Sequence, residues 1–116
     1  MTDAQRARFD DLLEDVLAHL PEGLHRLLEE SPLIVEDEPD EATLRALGMD
    51  DDPHAPDELC GLHTGVMLTE RSVNDPPDLP EQIQVFRRGV VATAGGWSAP
   101  DARLREEIRV TVLHEI

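Results

Sequence analysis

Along the first twenty residues, Phe9, Leu12, Leu13, Val16, Leu17 and Leu20 recur at intervals of three and four, separated by acidic and polar positions. That spacing places them on one stripe of a helix. Pro21 interrupts the pattern, and "PEGLHRLLEE" predicts a second, shorter helix whose Leu24, Leu27 and Leu28 continue the stripe. Proline is tolerated in a first helical turn, where its missing N–H has no intrahelical acceptor. Together these segments predict a helical hairpin or a kinked helix laid against something flat. The flat partner begins with Leu33, Ile34 and Val35, an apolar run between Pro32 and the acidic Glu36, Asp37 and Glu38. A short run bounded in this way predicts a buried strand.

Further along, "DEATLRALG" predicts a single-stripe helix capped by Asp40 and stopped by Gly48. "MDDDPHAPDE" is polar and proline-bearing and predicts a loop. In "LCGLHTGVMLTERS" a second strand is expected around Val66 to Thr69, with Gly61 and Gly65 marking a turn before it. "VNDPPDLPE" predicts a stiff connector. "QIQVFRR" alternates Ile83, Val85 and Arg87 with Gln82, Gln84 and Phe86, the period of two expected of a third strand. "GVVATAGGWSAP" fits either a short helical turn or the end of a strand, with Gly95 and Gly96 in a loop.

From Pro100 or Asp101 onward the pattern is helical again. Leu104, Ile108 and Val112 are spaced by four, Leu113 widens the stripe, and Glu106 and Glu107 lie near enough to the start to favour the helix dipole. The order helix, helix, strand, helix, strand, strand, helix predicts an α+β (α/β-like) domain spanning residues 1–116. Its helices are expected on a sheet of about three or four strands.

Composition narrows the partners. The chain has 26 acidic against 10 basic residues, for a formal net charge of −16. Such a surface repels the phosphates of nucleic acids and anionic membranes, so neither is an expected partner. With aromatics at 3%, the core has to be built from Leu, Val and Ile. The single cysteine, Cys60, excludes an internal disulfide and suits a reducing compartment. No apolar run approaches the ~18 residues of a spanning helix, and "MTDAQRARFDDLLEDV" lacks the apolar core of a secretory signal. A soluble, cytoplasmic protein is expected.

Candidate chemistry gathers in two places. Cys60-Gly-Leu-His63 has the spacing of half a zinc site, with His54 and the Asp50-Asp51-Asp52 run nearby, but a second ligand pair of similar quality is missing. The bland alternative is a structural cysteine beside a histidine, and a solvated acidic loop. The other place is "LHEI", where His114 and Glu115 match the first two letters of H-E-x-x-H. In that motif two histidines four apart hold zinc from consecutive helical turns. The zinc polarises a water, and the glutamate takes its proton. A helix turns by about 100° per residue, so His114 shares a face with Arg103, Glu107, Val110 and Thr111, and not with the apolar stripe. Taken alone, the two letters favour a solvated helix end over a metal motif.

Four motifs in order carry a resemblance. They lie in "IVEDEP", "LCGLHTGVMLTERS", "LPEQIQVFRR" and "LREEIRVTVLHEI", where the matching stretches are Val35–Pro39, Leu59–Arg71, Ile83–Arg88 and Thr111–Ile116. This chain resembles the small bacterial zincin-like metallopeptidases, the minimal zincins. The resemblance implies a zinc-dependent peptidase acting on peptides or proteins, with His114 as the first zinc ligand and Glu115 as general base. It places the motif helix at the C-terminus of a small zincin-like domain. The second histidine and any further ligand would follow Ile116, so the chain as given is expected to be a fragment and inactive. Two other readings stay open: a non-catalytic acidic interaction module on the same scaffold, and an acidic mimic of nucleic acid.

Overall fold

Helix α1 (Asp3–Ala18) opens on a reciprocal cap, in which Gln5 N–H donates to Thr2 Oγ1 at 3.1 Å and Thr2 N–H donates to Gln5 Oε1 at 2.8 Å. It buries Phe9, Leu13 and Val16 as the spacing predicts, with Leu12 and Leu17 packed beside them. A computed structural model describes residues 1–64 and 82–115 of the chain. The strand expected at Val66–Thr69 and the "VNDPPDLPE" connector lie outside the described residues.

Pro21 stands one residue earlier than expected, as the N-cap of α2 (Glu22–Glu30). Leu24 and Leu28 of α2 pack against the core, while Leu27 stays exposed. The His25 ring nitrogen Nε2 lies 2.6 Å from Leu17 O, tying α2 to the open carbonyl end of α1. Strand β1 (Leu33–Glu36) then follows. Helix α3 (Glu41–Ala46) is capped by Asp40, whose Oδ1 accepts from Thr43 N–H at 2.7 Å. Thr43, through its side chain first and then this backbone N–H, holds the Asp40 carboxyl below its ordinary range. Gly48, at φ 72°, turns the chain out of this helix as expected.

Two expectations need correction here. The predicted loop contains a single helical turn, α4 (Ala55–Glu58), whose Ala55 is fully buried. Gly61 is not part of a turn either; it opens strand β2 (Gly61–Thr64). Strand β3 (Gln82–Phe86) is central, and the sheet runs β1-β3-β2. β1 lies parallel to β3, with Leu33 opposite Ile83 and Val35 opposite Val85. β2 lies antiparallel to β3, with Gly61 opposite Val85 and His63 opposite Ile83. The central position explains why residues on both faces of β3, from Ile83 through Phe86, are buried. β1 pairs on one side only among the described residues, and its four residues are half-buried, not buried as expected.

Arg87 leaves the strand and begins α5 (Arg87–Ala94), which resolves the ambiguous segment as a helix ending at Gly95 in the left-handed region. Phe86, the α5 N-cap, makes no side-chain cap bond. A β1 extension does part of that work, as Arg88 N–H donates to Asp37 O at 2.9 Å. The last helix is α6 (Asp101–Glu115), as predicted. Leu104, Ile108 and Val112 are fully buried in the main core with Phe9, Val85 and Val90. Leu113 does not widen that stripe, being 37% exposed; the buried neighbour is Thr111. With six helices and a three-stranded mixed sheet among the described residues, the class is α+β. None of the described helices is long and apolar enough to cross a membrane.

Ion pairs join α1 to the strand ends. The Arg87 side chain, 12% exposed, donates to Asp10 Oδ1 at 2.9 Å and to Asp37 Oδ1 at 2.9 Å. Arg6 forks onto the same Asp37 carboxylate at 2.8 and 3.0 Å. The Arg6 guanidinium foremost, and then Arg87, holds the Asp37 carboxyl below its ordinary value of 3.8. A carboxyl depressed by folding adds stability that is present above its unfolded pKa and lost as pH falls through the folded one. Urea unfolding across acid pH is therefore expected to show a steeper loss of stability below about pH 4 in the parent than in Asp37→Asn. Equal slopes in the two proteins would remove Asp37 from the acid response.

Candidate functional site

Helix α6 buries Leu104, Ile108 and Val112, and the adjoining strip of its surface, which includes the buried Thr111, faces the short link between α4 and β2. There the two bound a cleft of about 310 Å³. Glu107, Val110, Thr111, His114 and Glu115 form its helical wall; the first four lie on the face that the helical rotation assigns to His114, and Glu115 stands about 100° round the helix from it. Glu58, Cys60 and Gly61 lie across from it. None of the cross-cleft positions belongs to a continuous sequence pattern with α6; only the sheet brings them together.

Gly61 allows the close approach. A Cβ at this position would lie 3.0 Å from Glu115 Cγ, 3.1 Å from Thr111 Cγ2 and 3.0 Å from the backbone oxygen of Gln84. The Glu115 side chain is accordingly only 20% exposed, held against the first residue of β2. His114 is 80% exposed at the mouth, with Nδ1 3.8 Å from Glu115 Oε1. The pair expected from the sequence thus stands in a cleft, one member sheltered and the other open. Glu107 is sheltered too, at 15% exposure, and accepts from Arg103 Nη1 at 2.9 Å. Its helical spacing from His114 is readable in the sequence, whereas the contribution of Glu58 is not.

The Cys60–His63 reading is not assembled. Cys60 is half-buried, its Sγ 3.3 Å from Thr93 Oγ1, which in turn donates to Gly89 O at 2.8 Å. The Asp50, Asp51 and Asp52 side chains are exposed, as expected of a solvated segment. Among the described residues no three His, Cys, Asp or Glu side chains converge as a metal site. A zinc site needs three or four protein donors. The described residues therefore offer zinc one imidazole at the mouth of the cleft and do not complete its shell.

A larger cavity of about 590 Å³ lies at the end of β1, lined by Arg6, Asp37, Glu38, Arg88 and Trp97 among others. Its charges are already matched, with Arg6 on Asp37 and Arg88 Nη1 2.7 Å from Glu38 Oε2. Among the described residues neither histidine nor cysteine lines it. The smaller cleft holds the groups able to do chemistry, and we take it as the site. "QIQVF" does not offer a free edge to a bound peptide, because β1 and β2 occupy both sides of β3. The other segment considered for that role, "VMLTE", lies outside the described residues. Of the described strands, β2 and β3 both lie against α6, β2 the more closely.

The family model for zincin-like metallopeptidases matches residues 28–116. No curated protein matches the chain.

Proposed function

The chain belongs to the zincin-like metallopeptidase family, and from that premise we propose that it forms a single domain of a zinc-dependent peptidase in which His114 is a metal ligand and Glu115 the general base. Zinc, when bound, supplies the polarisation of water and of the peptide carbonyl. The chain's own contribution is positional. Glu115 lies against Gly61 at the cleft wall, where a carboxylate can accept a proton from an attacking water and pass it to the leaving amine. His114, open at the mouth, directs an imidazole outward from the last full turn of α6. The substrate class is a peptide or protein. The observation that carries this reading is the seating of adjacent His114 and Glu115 in one cleft on a helix that the family match includes.

The non-catalytic interaction module has one observation in its favour, the incomplete donor set among the described residues. Zinc content separates the two. In a polypeptide that continues past Ile116 and carries a histidine four residues after His114, about one zinc per chain is expected at neutral pH, and His114→Ala is expected to lose it. The chain of residues 1–116 is expected to hold zinc far more weakly. A continued polypeptide with that histidine and no bound zinc would rule the peptidase out.

A further inference from the structure

Three carboxylates, those of Glu58, Glu107 and Glu115, line the cleft beside one imidazole, and among the described residues neither lysine nor arginine lines it. They are too dispersed to converge on one metal ion. Spread along a wall, in the zinc-free chain they act instead as a field of one sign over a volume of about 310 Å³, room enough for one long side chain. Glu107 is partly offset by Arg103 at 2.9 Å, but Arg103 is the more exposed partner and does not itself line the cleft. The remaining surface is aliphatic, from Leu59, Val110 and the Thr111 methyl, and Val110 is largely exposed. A long apolar stem ending in a positive charge matches both halves of this lining, since such side chains lay their methylenes on apolar surface and keep the charged head among polar groups.

We propose that the cleft selects a lysine or arginine side chain of the peptide substrate, with Glu107 and Glu58 as the specificity-determining carboxylates. The proposal rests on the cleft being the substrate site of the peptidase described above. An acidic side chain in the same place would meet like charges while losing water, which excludes it more strongly than a neutral one. An uncharged stem of the same length would gain the aliphatic contact alone.

Nuclear magnetic resonance titrations on residues 1–116 in the presence of EDTA test this directly, using the N-acetyl amides of lysine, arginine, norleucine and glutamate as probes. The lysine and arginine amides are expected to shift the backbone signals of Gly61, Glu107 and Thr111, and to bind about tenfold tighter than the norleucine amide. The glutamate amide is expected to leave those signals in place. Glu107→Gln and Glu58→Gln are each expected to weaken lysine-amide binding by about two- to fivefold. Glu58 is exposed, so its replacement keeps the test valid if loss of the Arg103 pair unsettles the other variant. Norleucine binding as tightly as lysine, shifts confined to other parts of the chain, or neither substitution weakening binding would each overturn the proposal. Because EDTA removes zinc from the experiment, a failed zinc measurement leaves this result standing, and failure here leaves the zinc assignment standing.

Discussion

In a continued polypeptide that binds zinc, Glu115→Gln is expected to keep the metal and lose peptide hydrolysis by about 10²–10⁴-fold, the usual range for removing a positioned general base. Glutamine has nearly the volume of glutamate, so its side chain can lie against Gly61 and Thr111 as Glu115 does. What it cannot do is accept a proton from water. The loss should fall on kcat, with KM little changed, because a proton in flight is a feature of the transition state and not of the bound substrate. A zinc-loaded Glu115→Gln enzyme with parental kcat would show that another group does the proton transfer. Loss of zinc together with activity would mark Glu115 as a structural support of the site.

The second large effect concerns stability. Gly89→Ala is expected to destabilise the fold by about 3 kcal/mol, against the direction that helix propensity alone gives. Gly89 lies inside α5, where alanine is ordinarily favoured by about 1 kcal/mol. Here an added Cβ would come within 2.0 Å of Leu59 O, 2.5 Å of Leu59 C and 3.0 Å of Cys60 N. These are backbone atoms of the link between α4 and β2, so they cannot rotate away as a flexible side chain would. α5 would have to separate from the segment that forms one wall of the cleft. Gly23→Ala is the control: it lies in α2 with nothing within 4 Å of the new methyl, and a gain of about 0.5–1 kcal/mol is expected. Urea denaturation of both variants is the measurement, and a Gly89→Ala protein as stable as its parent would contradict the close packing of α5 on residues 59–60.

Much of the layout was legible from local pattern. The stripe from Phe9 to Leu20, the apolar run at Leu33–Val35, the alternation at Gln82–Phe86 and the four-residue spacing of Leu104, Ile108 and Val112 each declare their element, because side-chain period follows from the backbone's own geometry. The Asp40 cap and the loop glycines at 95 and 96 were equally local. The same local rules misjudged Gly61, read as a turn because glycine usually signals freedom of φ. In the folded chain it is glycine for want of space, with Glu115 and Thr111 arriving from a helix about fifty residues away in sequence. They also carried the Gln82–Phe86 alternation one residue too far, to Arg87, which instead enters α5 and joins Asp10 to Asp37.

By its own pattern, then, the sequence determined the individual elements of this protein, its acidic character and the placing of His114 and Glu115 on one helix. Tertiary structure alone decided that β3 is the centre of the sheet, that Leu113 faces solvent, and that Glu58 and Gly61 share a cleft with Glu107 and Glu115. The reason is physical. Period and capping arise from interactions within a few residues, whereas strand order and cleft walls arise from contacts between segments whose separation along the chain carries no periodic mark.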